Sequence, residues 1–225
     1  MQINNCIIPA YNEENHIGAV ISVAAQFVQK IYVVDDGSSD RTEQIAEQAG
    51  AVVIRLKKRI GKGYALREGI RHALAGGADN LILMDADAQH DPHDIPLFLK
   101  ESIDFPQSMI IGNRMGSATS MPLARRLTNR LMSMILSRIS RKRLSDSQCG
   151  FRLIPAGLAQ QWSLESNYFE IESEMILKAA ALGWDIHQMP VSCSYRPGRQ
   201  SRIMPLLDSW RWLRFIMRGV LSKAR

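Results

Sequence analysis

The pair Asp85 and Asp87 is the feature of this sequence best suited to chemistry. It follows four large apolar residues, 81–84, a run too short for a helix and typical of a buried strand that ends at a polar edge. Ligands bind at that edge of an open α/β sheet. On an extended backbone the two carboxylates would point the same way and share one hard divalent cation, with positions left for phosphate oxygens. The pattern predicts a site for a metal-bound diphosphate, although an acidic turn at a strand end has the same sequence.

The elements that must position this pair alternate between strand and helix. Apolar runs predict strands at 3–8, 31–34, 51–55 and 81–84, and amphipathic spacing predicts helices through 17–24, over 42–49, from Gly61 and over 92–104. Pro9, which lacks an N–H, is expected to end the first strand, and Asn12 to cap the first helix. This alternation predicts an α/β fold, a mostly parallel sheet with helices on both faces.

The second half of the chain is less regular. A strand is predicted at 108–112, a basic amphipathic helix at 123–139, and a loop at 146–152 that enters a short strand. A helix near 170–182, a strand within 186–195 and a helix from about Pro205 complete the chain. We expect one domain over residues 1–202, followed by an amphipathic basic helix at 203–225.

Composition narrows the class of protein. The 225 residues are 46% hydrophobic, which is enough for one α/β core. Three widely spaced cysteines without metal-ligand spacing favour a reducing compartment. The N-terminus lacks the pattern of a signal peptide, and no run approaches the roughly 18 apolar residues of a membrane span. We therefore expect a cytoplasmic protein.

The basic charge is confined to two segments. Residues 105–145 hold eight Arg or Lys residues and no acid, and residues 186–225 hold eight against one acid, Asp208. The rest of the chain is acidic, with 12 basic and 21 acidic residues. Such segments bind anions, which include a diphosphate, an acidic lipid or a nucleic acid.

Six motifs occur together along the chain. They are Pro9-Ala10-Tyr11-Asn12-Glu13, Val34-Asp35-Asp36-Gly37-Ser38-x-Asp40, Gly61-Lys62-Gly63-x-Ala65, Asp85-Ala86-Asp87-x-Gln89-His90, Gly112-x-Arg114 and Asp146-x-Gln148-x-Gly150-Phe151-Arg152. In this order they resemble family 2 glycosyltransferases of the dolichyl-phosphate mannose synthase type, over most of residues 3–202. The resemblance implies a single Rossmann-like domain of the glycosyltransferase A type, a Mg²⁺ or Mn²⁺ ion, and inverting transfer of a hexose from a nucleotide sugar of the GDP-mannose or UDP-glucose type.

The resemblance assigns five residues to the nucleotide. Pro9, Tyr11 and Glu13 would line the base and ribose, with Tyr11 stacking on the base. Asp36 would hydrogen-bond the base, and Lys62 would lie near the nucleotide. Independently of the family, the Gly-rich start of the helix at Lys62 is a place where phosphate docks, although a bare Gly-Lys-Gly is also found in plain loops.

The resemblance assigns the metal ion to the residues of the Asp-x-Asp motif. In the family pattern Asp87 binds the cation, Asp85 assists it or holds the ribose, and Gln89 completes the coordination with an amide oxygen. His90 is interpreted as a loop residue that orients Gln89. The cation would stabilise the negative charge that develops on the departing nucleoside diphosphate.

The acceptor side is assigned to arginines and one carboxylate. Arg114, one of Arg125 and Arg126, and the later Arg202 would neutralise phosphates. Asp146 is the candidate general base for a hydroxyl acceptor. If the acceptor is a lipid phosphate, which is already ionised, Asp146 would instead orient an arginine or the acceptor, and a loop-capping role remains open.

Two other classes of protein remain open from the residues alone. A nucleotidyltransferase of similar architecture would require a Gly-rich loop with Arg after the first strand, where the chain has Pro-Ala-Tyr-Asn-Glu instead. A nucleic-acid-binding module would explain the basic segments but leave the strand-end carboxylates without a role, because they repel phosphates unless a metal is present. No nucleic-acid partner is therefore expected.

The last predicted helix has two arcs. One carries Leu206, Trp210, Leu213, Met217 and Val220, and the other carries Arg211, Arg214 and Arg218. This pattern fits a helix that lies on an anionic membrane surface, as expected for a peripheral protein on the cytoplasmic face with a lipid-linked acceptor. A helix packed on the domain with a solvated basic edge has the same pattern.

Overall fold

The computed structural model describes residues 2–116, 121–194 and 205–223, and in the last range the side chains of 207–217. The strands are β1 (Asn4–Ala10), β2 (Lys30–Asp35), β3 (Val52–Arg55), β4 (Asn80–Leu83), β5 (Ser108–Asn113), β6 (Arg152–Pro155) and β7 (Asp185–Pro190). The helices are α1 (Ile17–Ala24), α2 (Thr42–Gln48), α3 (Lys62–Ala75), α4 (Ile95–Asp104), α5 (Leu123–Ser140), α6 (Ala156–Ala159), α7 (Ile171–Ala181) and α8 (Pro205–Lys223).

The strands form one sheet of seven in the order β3-β2-β1-β4-β6-β5-β7. All neighbours are parallel except β6, which lies antiparallel between β4 and β5. Because β1, β2 and β4 are parallel, the loops that follow them meet at one edge of the sheet. The predicted α/β fold with a mostly parallel sheet is confirmed.

The core lies on both faces of the central strands. β4 is buried along its whole length, as its unbroken apolar run indicates. Each of the longer helices turns an apolar stripe inward, for example Ile17, Val20 and Ile21 of α1. Among the helices of the described residues, none is both long and apolar enough to cross a bilayer.

Two local predictions around β1 are wrong. The strand does not end at Pro9 but runs to Ala10, because β4 pairs with β1 only as far as Ile7 and the ladder on that side is already finished. Asn12 does not cap α1, which begins five residues later at Ile17. Its backbone has φ 49°, and its Oδ1 accepts a hydrogen bond from the Ser39 backbone N–H at 2.8 Å. Asn12 therefore ties the loop after β1 to the loop after β2.

Two short elements differ from the predicted ones. The predicted helix 92–104 begins as a 3-10 turn, Pro92–Asp94, whose first residue follows the capping Asp91, and becomes α-helical only at Ile95. The short helix α6 after β6 has no counterpart in the prediction. Neither change alters the sheet order.

Candidate active site

The loops after β1, β2 and β4 form the floor of a polar site at the sheet edge. They contribute Tyr11 and Glu13, then Asp36, then Asp85 and Asp87. The loop that precedes β6 adds Gly150, because β6 runs antiparallel beside β4 and its preceding loop returns to the same edge. Four segments that are distant in the sequence therefore converge here.

Asp85 is positioned by a turn and an ion pair. The strand ends at Leu83 and residues 86–87 form a turn, so the expected alternation of two carboxylates along an extended backbone is wrong. Asp85 Oδ1 lies 2.6 Å from the ammonium of Lys62. Burial alone would raise the pKa of Asp85, but the charge and hydrogen bond of Lys62, together with other nearby charges such as Arg114, outweigh it and lower that pKa to about 2. Asp85 is therefore ionised and held in one place.

Lys62 bridges two carboxylates instead of pointing into an open phosphate site. Its ammonium also lies 2.7 Å from Oε1 of the buried Glu172 on α7. The backbone N–H groups of Gly63 and Tyr64 at the start of α3 both donate to the carbonyl of Asn167. The prediction that this helix start offers its N–H groups to phosphate is therefore wrong, since a carbonyl already occupies them.

Gly150 provides a direct test of this charge cluster. A Cβ on Gly150 would lie 2.7 Å from Oδ2 of Asp85, closer than real Cβ contacts, and 3.0 Å from Nζ of Lys62, which is tighter than most. We expect Gly150→Ala to displace the ion pair and weaken nucleoside diphosphate binding by roughly tenfold or more. Gly157→Ala is the matched control, because a Cβ there meets only Trp184 at an ordinary 3.9 Å. Calorimetric titration with a nucleoside diphosphate measures the affinity of both variants. Equal affinities of Gly150→Ala and Gly157→Ala would show that the charge cluster does not hold the nucleotide.

Asp87 and Gln89 lie beyond the ion pair, in the turn itself. Oδ1 of Asp87 accepts the backbone N–H of Gln89 at 3.0 Å, and the Gln89 carbonyl accepts the N–H of Ser194 at 2.9 Å. Both side chains are partly exposed. His90 is buried, forms a β-bridge with Cys193, and packs its ring 5.5 Å from that of Phe151. Burial lowers the pKa of His90 to about 4, so this residue is a neutral anchor that fixes the loop.

The donor set fits a hard cation. Carboxylate and amide oxygens of Asp85, Asp87 and Gln89 are the ligand types that Mg²⁺ and Mn²⁺ take. The described residues contain no cluster of three or more His, Cys, Asp or Glu side chains that would complete a metal site by itself. This incomplete set suits an ion that also takes phosphate oxygens, because Mg²⁺ is commonly bound by one or two carboxylates plus substrate phosphates.

The residues assigned to base and ribose lie along the β1 and β2 loops. Glu13 is buried and its Oε2 lies 3.2 Å from Nδ1 of His16. Asp36 accepts the backbone N–H groups of Ile60 and Gly61 at 2.7 and 2.9 Å, and burial raises its pKa despite those bonds. Pro9 is the last but one residue of β1.

Tyr11 has a neighbour that the sequence did not indicate. The guanidinium of Arg59 lies 4.3 Å from the centre of the Tyr11 ring, in cation–π geometry. The planar guanidinium of Arg59 therefore lies over the Tyr11 ring, where the resemblance places the base of the nucleotide. Arg59 belongs to the cationic run 57–59, whose contact with Tyr11 depends on how the loop after β3 folds back.

Arg114 and Asp146 form the second centre of the site. Asp146 is fully buried and accepts from Arg114 Nε at 2.8 Å, Arg114 Nη2 at 2.9 Å and the Arg114 backbone N–H at 3.0 Å. Asn129 of α5 donates a further bond at 2.8 Å, and the Gln148 N–H another at 3.3 Å. Burial alone would raise the pKa of Asp146, but the bonds and charge of Arg114 hold it below its ordinary value.

The structure describes two of the three other arginines that the resemblance assigns to phosphate. Arg125 and Arg126 lie in the first turn of α5 and are half-buried. Among the described residues, Arg126 Nε is buried without a hydrogen-bond partner. Arg202 lies outside the described residues.

The sequence analysis missed two neighbours of the site, Asn129 and Glu172, and it named Arg152 in the last motif without giving it a role. Arg152 is fully buried and donates to the carbonyls of Cys149, Glu172 and Ser147, so it shapes the loop that carries Asp146. Asn129 begins a polar series on α5 that continues every four residues with Ser133 and Ser137, a signal available in the sequence. Glu172 has no such signal, because only the approach of α7 to Lys62 gives it a role.

Comparisons with known proteins give consistent results. The family model described as glycosyl transferase family 2 matches residues 6–161. An uncharacterized protein of Methanocaldococcus jannaschii is 33% identical over 202 residues, covering 87% of this chain and 83% of its own. The UDP-N-acetylglucosamine–dolichyl-phosphate N-acetylglucosaminyltransferase of Methanococcus voltae is 28% identical over 212 residues, covering 84% of each chain.

A solved structure is similar in fold. Glucosyl-3-phosphoglycerate synthase from Mycobacterium tuberculosis, in complex with Mn²⁺, UDP and phosphoglyceric acid, superposes with a TM-score of 0.71 at 21% identity. The match covers 98% of this chain and 78% of that one. At this identity the likeness concerns the fold alone.

Proposed function

The chain belongs to glycosyl transferase family 2 and uses a nucleotide sugar, and from that premise we propose that it moves a hexose, with inversion, to a phosphate-bearing acceptor at a membrane surface. The resemblance to dolichyl-phosphate mannose synthases is confirmed at the family level. Sugar transfer accounts for the strand-end carboxylates that a nucleic-acid-binding module leaves without a role.

The donor would bind on the loops after β1, β2 and β4. Mg²⁺ or Mn²⁺ held by Asp85, Asp87 and Gln89 would supply positive charge for the departing nucleoside diphosphate. The synthase of similar fold was solved with Mn²⁺ and UDP, which is the pair of ligands that we propose here. Lys62 keeps Asp85 ionised and oriented from behind, through contacts that do not require the nucleotide.

The hydrogen bonding of Asp146 is the observation that favours a phosphate acceptor over a hydroxyl acceptor. Both of its oxygens accept bonds from Arg114, and Oδ1 accepts two more, so the roughly four acceptor sites of a carboxylate are filled. A carboxylate in this state is a poor base for a hydroxyl. An acceptor that is already ionised, such as a phosphate monoester, needs no base and gains from the fixed guanidinium of Arg114.

A lipid-linked phosphate is favoured over a soluble one by helix α8. This helix packs on the domain through Trp212, whose Nε1 donates to Ser173 of α7 at 2.8 Å, and through buried Ile216. Trp210, Leu213 and Met217 on its other side are each about half exposed. The dolichyl-phosphate acceptor named for the relative from Methanococcus voltae agrees with this arrangement.

Release of nucleoside diphosphate tests the proposal. With Mn²⁺, a panel of UDP- and GDP-hexoses and a short-chain prenyl phosphate, we expect release that requires both the metal and the phosphate acceptor. The control acceptors are 3-phosphoglycerate, a soluble phosphate, and the prenyl alcohol, which lacks the phosphate. Transfer to 3-phosphoglycerate alone would contradict the lipid acceptor, and transfer to the alcohol would contradict the phosphate requirement.

A further inference from the structure

Helix α5 turns both polar and apolar side chains to the protein, and it carries a second apolar stripe on its outer face. Its buried positions are Asn129, Ser133 and Leu136, and Asn129 and Ser133 hydrogen-bond Asp146 and Ser147. The outward stripe consists of Leu123, Leu127, Leu131 and Met134, which are 69, 54, 53 and 49% exposed. The outer face of an ordinary surface helix is polar, so this exposed stripe indicates a partner that is itself apolar.

The segment that carries this stripe is rich in cations and contains no acid of its own. Residues 121–145 include seven Arg or Lys residues and no Asp or Glu. An open cleft of about 840 Å³ lies beside the C-terminal half of α5 and the segment that follows it. Its lining, as far as the described residues show it, includes Arg130, Arg138, Arg141, Lys142 and Arg143 and no carboxylate. Of these, Lys142 is paired with Asp185.

We propose that the outer face of α5 docks on an anionic phospholipid bilayer, with the Leu/Met stripe in the interface and the cleft cations on lipid headgroups. The inference rests on the proposed function, because it explains how the acceptor phosphate reaches Arg114. It assigns the docking to α5, which carries the acceptor side of the site, in addition to the terminal helix α8.

The depth of docking matches the position of the site. An α-helix with side chains is about 10–12 Å thick, and an interfacial helix lies roughly 5–10 Å into the headgroup boundary. The inner face of a docked α5 would therefore stand near headgroup level. Asn129 on that face bonds Asp146, which holds Arg114, so the guanidinium is placed close to the layer that contains a lipid's phosphate.

Charge favours a bilayer over a second copy of the chain. In a symmetric dimer through this face, Arg130 and Arg138 of each copy would approach the same cations on the other, which is repulsive. Anionic lipid headgroups complement them, and each cation near such a surface strengthens binding. Long arginine side chains also reach headgroups from an apolar stripe by extending along it.

Vesicle co-flotation of the full chain tests this docking surface. We use vesicles of phosphatidylglycerol with phosphatidylcholine, and of phosphatidylcholine alone, at low and high salt. Wild type should float with the anionic vesicles at low salt, and Leu127→Gln/Leu131→Gln should reduce this partitioning by roughly tenfold or more. The matched control is Leu97→Gln/Ile103→Gln on α4, which removes two exposed apolar side chains, 48 and 71% exposed, from a different element and should partition as wild type does.

Transfer to a short-chain, water-soluble prenyl phosphate separates docking from catalysis. The α5 variant should keep this activity and lose transfer to a long-chain acceptor embedded in vesicles. Unchanged flotation of the α5 variant, or an equal loss of flotation in the α4 control, would contradict docking through α5. A wild-type dimer that this variant converts to monomers, with flotation unchanged, would overturn it in favour of a second copy. Failure of wild type to use any acceptor, soluble or embedded, would instead refute the proposed function.

Discussion

Replacing Asp87 by Ala should lower kcat by about two to three orders of magnitude or more, with little change in the free energy of unfolding. Asp87 is a partly exposed turn residue, so its side chain contributes little to the core. Its carboxylate is a proposed ligand of Mg²⁺ or Mn²⁺, and that ion would stabilise the negative charge on the departing nucleoside diphosphate. Titration of a nucleoside diphosphate with and without Mn²⁺ should show a metal-dependent gain in affinity for wild type that the variant lacks.

Asp91→Ala is the matched control for Asp87. It removes a carboxylate from the same loop, but Oδ1 of Asp91 accepts from the backbone and ring of His93 and caps the 3-10 turn. Turnover should therefore remain near that of wild type. Metal-dependent nucleotide binding that survives in Asp87→Ala would remove Asp87 from the metal site.

Asp146→Asn should reduce kcat/KM for the acceptor by about two to three orders of magnitude and also destabilise the protein. Breaking a buried ion pair by removing one partner costs about 3–5 kcal/mol, because the remaining charge is left without compensation. Arg114 is 5% exposed, so it falls in this class. Donor affinity should change little, since Asp146 contacts Arg114 and α5 and not the nucleotide loops. Chemical denaturation and steady-state kinetics measure the two effects.

A neutral double variant distinguishes orientation of Arg114 from general-base catalysis. Arg114→Gln/Asp146→Asn removes both charges, so it should recover part of the lost stability while activity stays low. For a general base, Asp146→Asn alone would lose kcat, keep its stability and abolish an acid limb in the pH–rate profile. That combination would contradict the assigned role.

The pH dependence of stability has a defined sign at Asp146. Because its folded-state pKa is below the ordinary value, the stabilisation is present above the unfolded-state pKa and is lost as pH falls through the folded-state pKa. Wild type should therefore lose this contribution only in acid, below about pH 4. The Asp146→Asn variant should lack that part of the acid transition.

Local patterns in the sequence determined the fold and the positions of the motifs. The alternation of short apolar runs with amphipathic segments is a property of neighbouring residues, and it predicted the strands and helices of the sheet and their mostly parallel order. Polar residues directly after β1, β2 and β4 predicted the edge at which they gather. These predictions needed no knowledge of distant contacts, since strand and helix periods are set by the backbone alone.

Only the tertiary structure decided what the charged side chains do. Lys62 pairs with Asp85 and Glu172, which lie 23 and 110 positions away along the chain, and the backbone of Asn167 fills the helix start that looked open. Asn129 lies on the inner face of α5 because the buried charge of Asp146 requires hydrogen-bond donors, and the helix leaves a second apolar stripe on its outer face. Periodicity shows that a helix is two-sided. Which side faces inward depends on the charge or apolar surface that the rest of the fold brings against it.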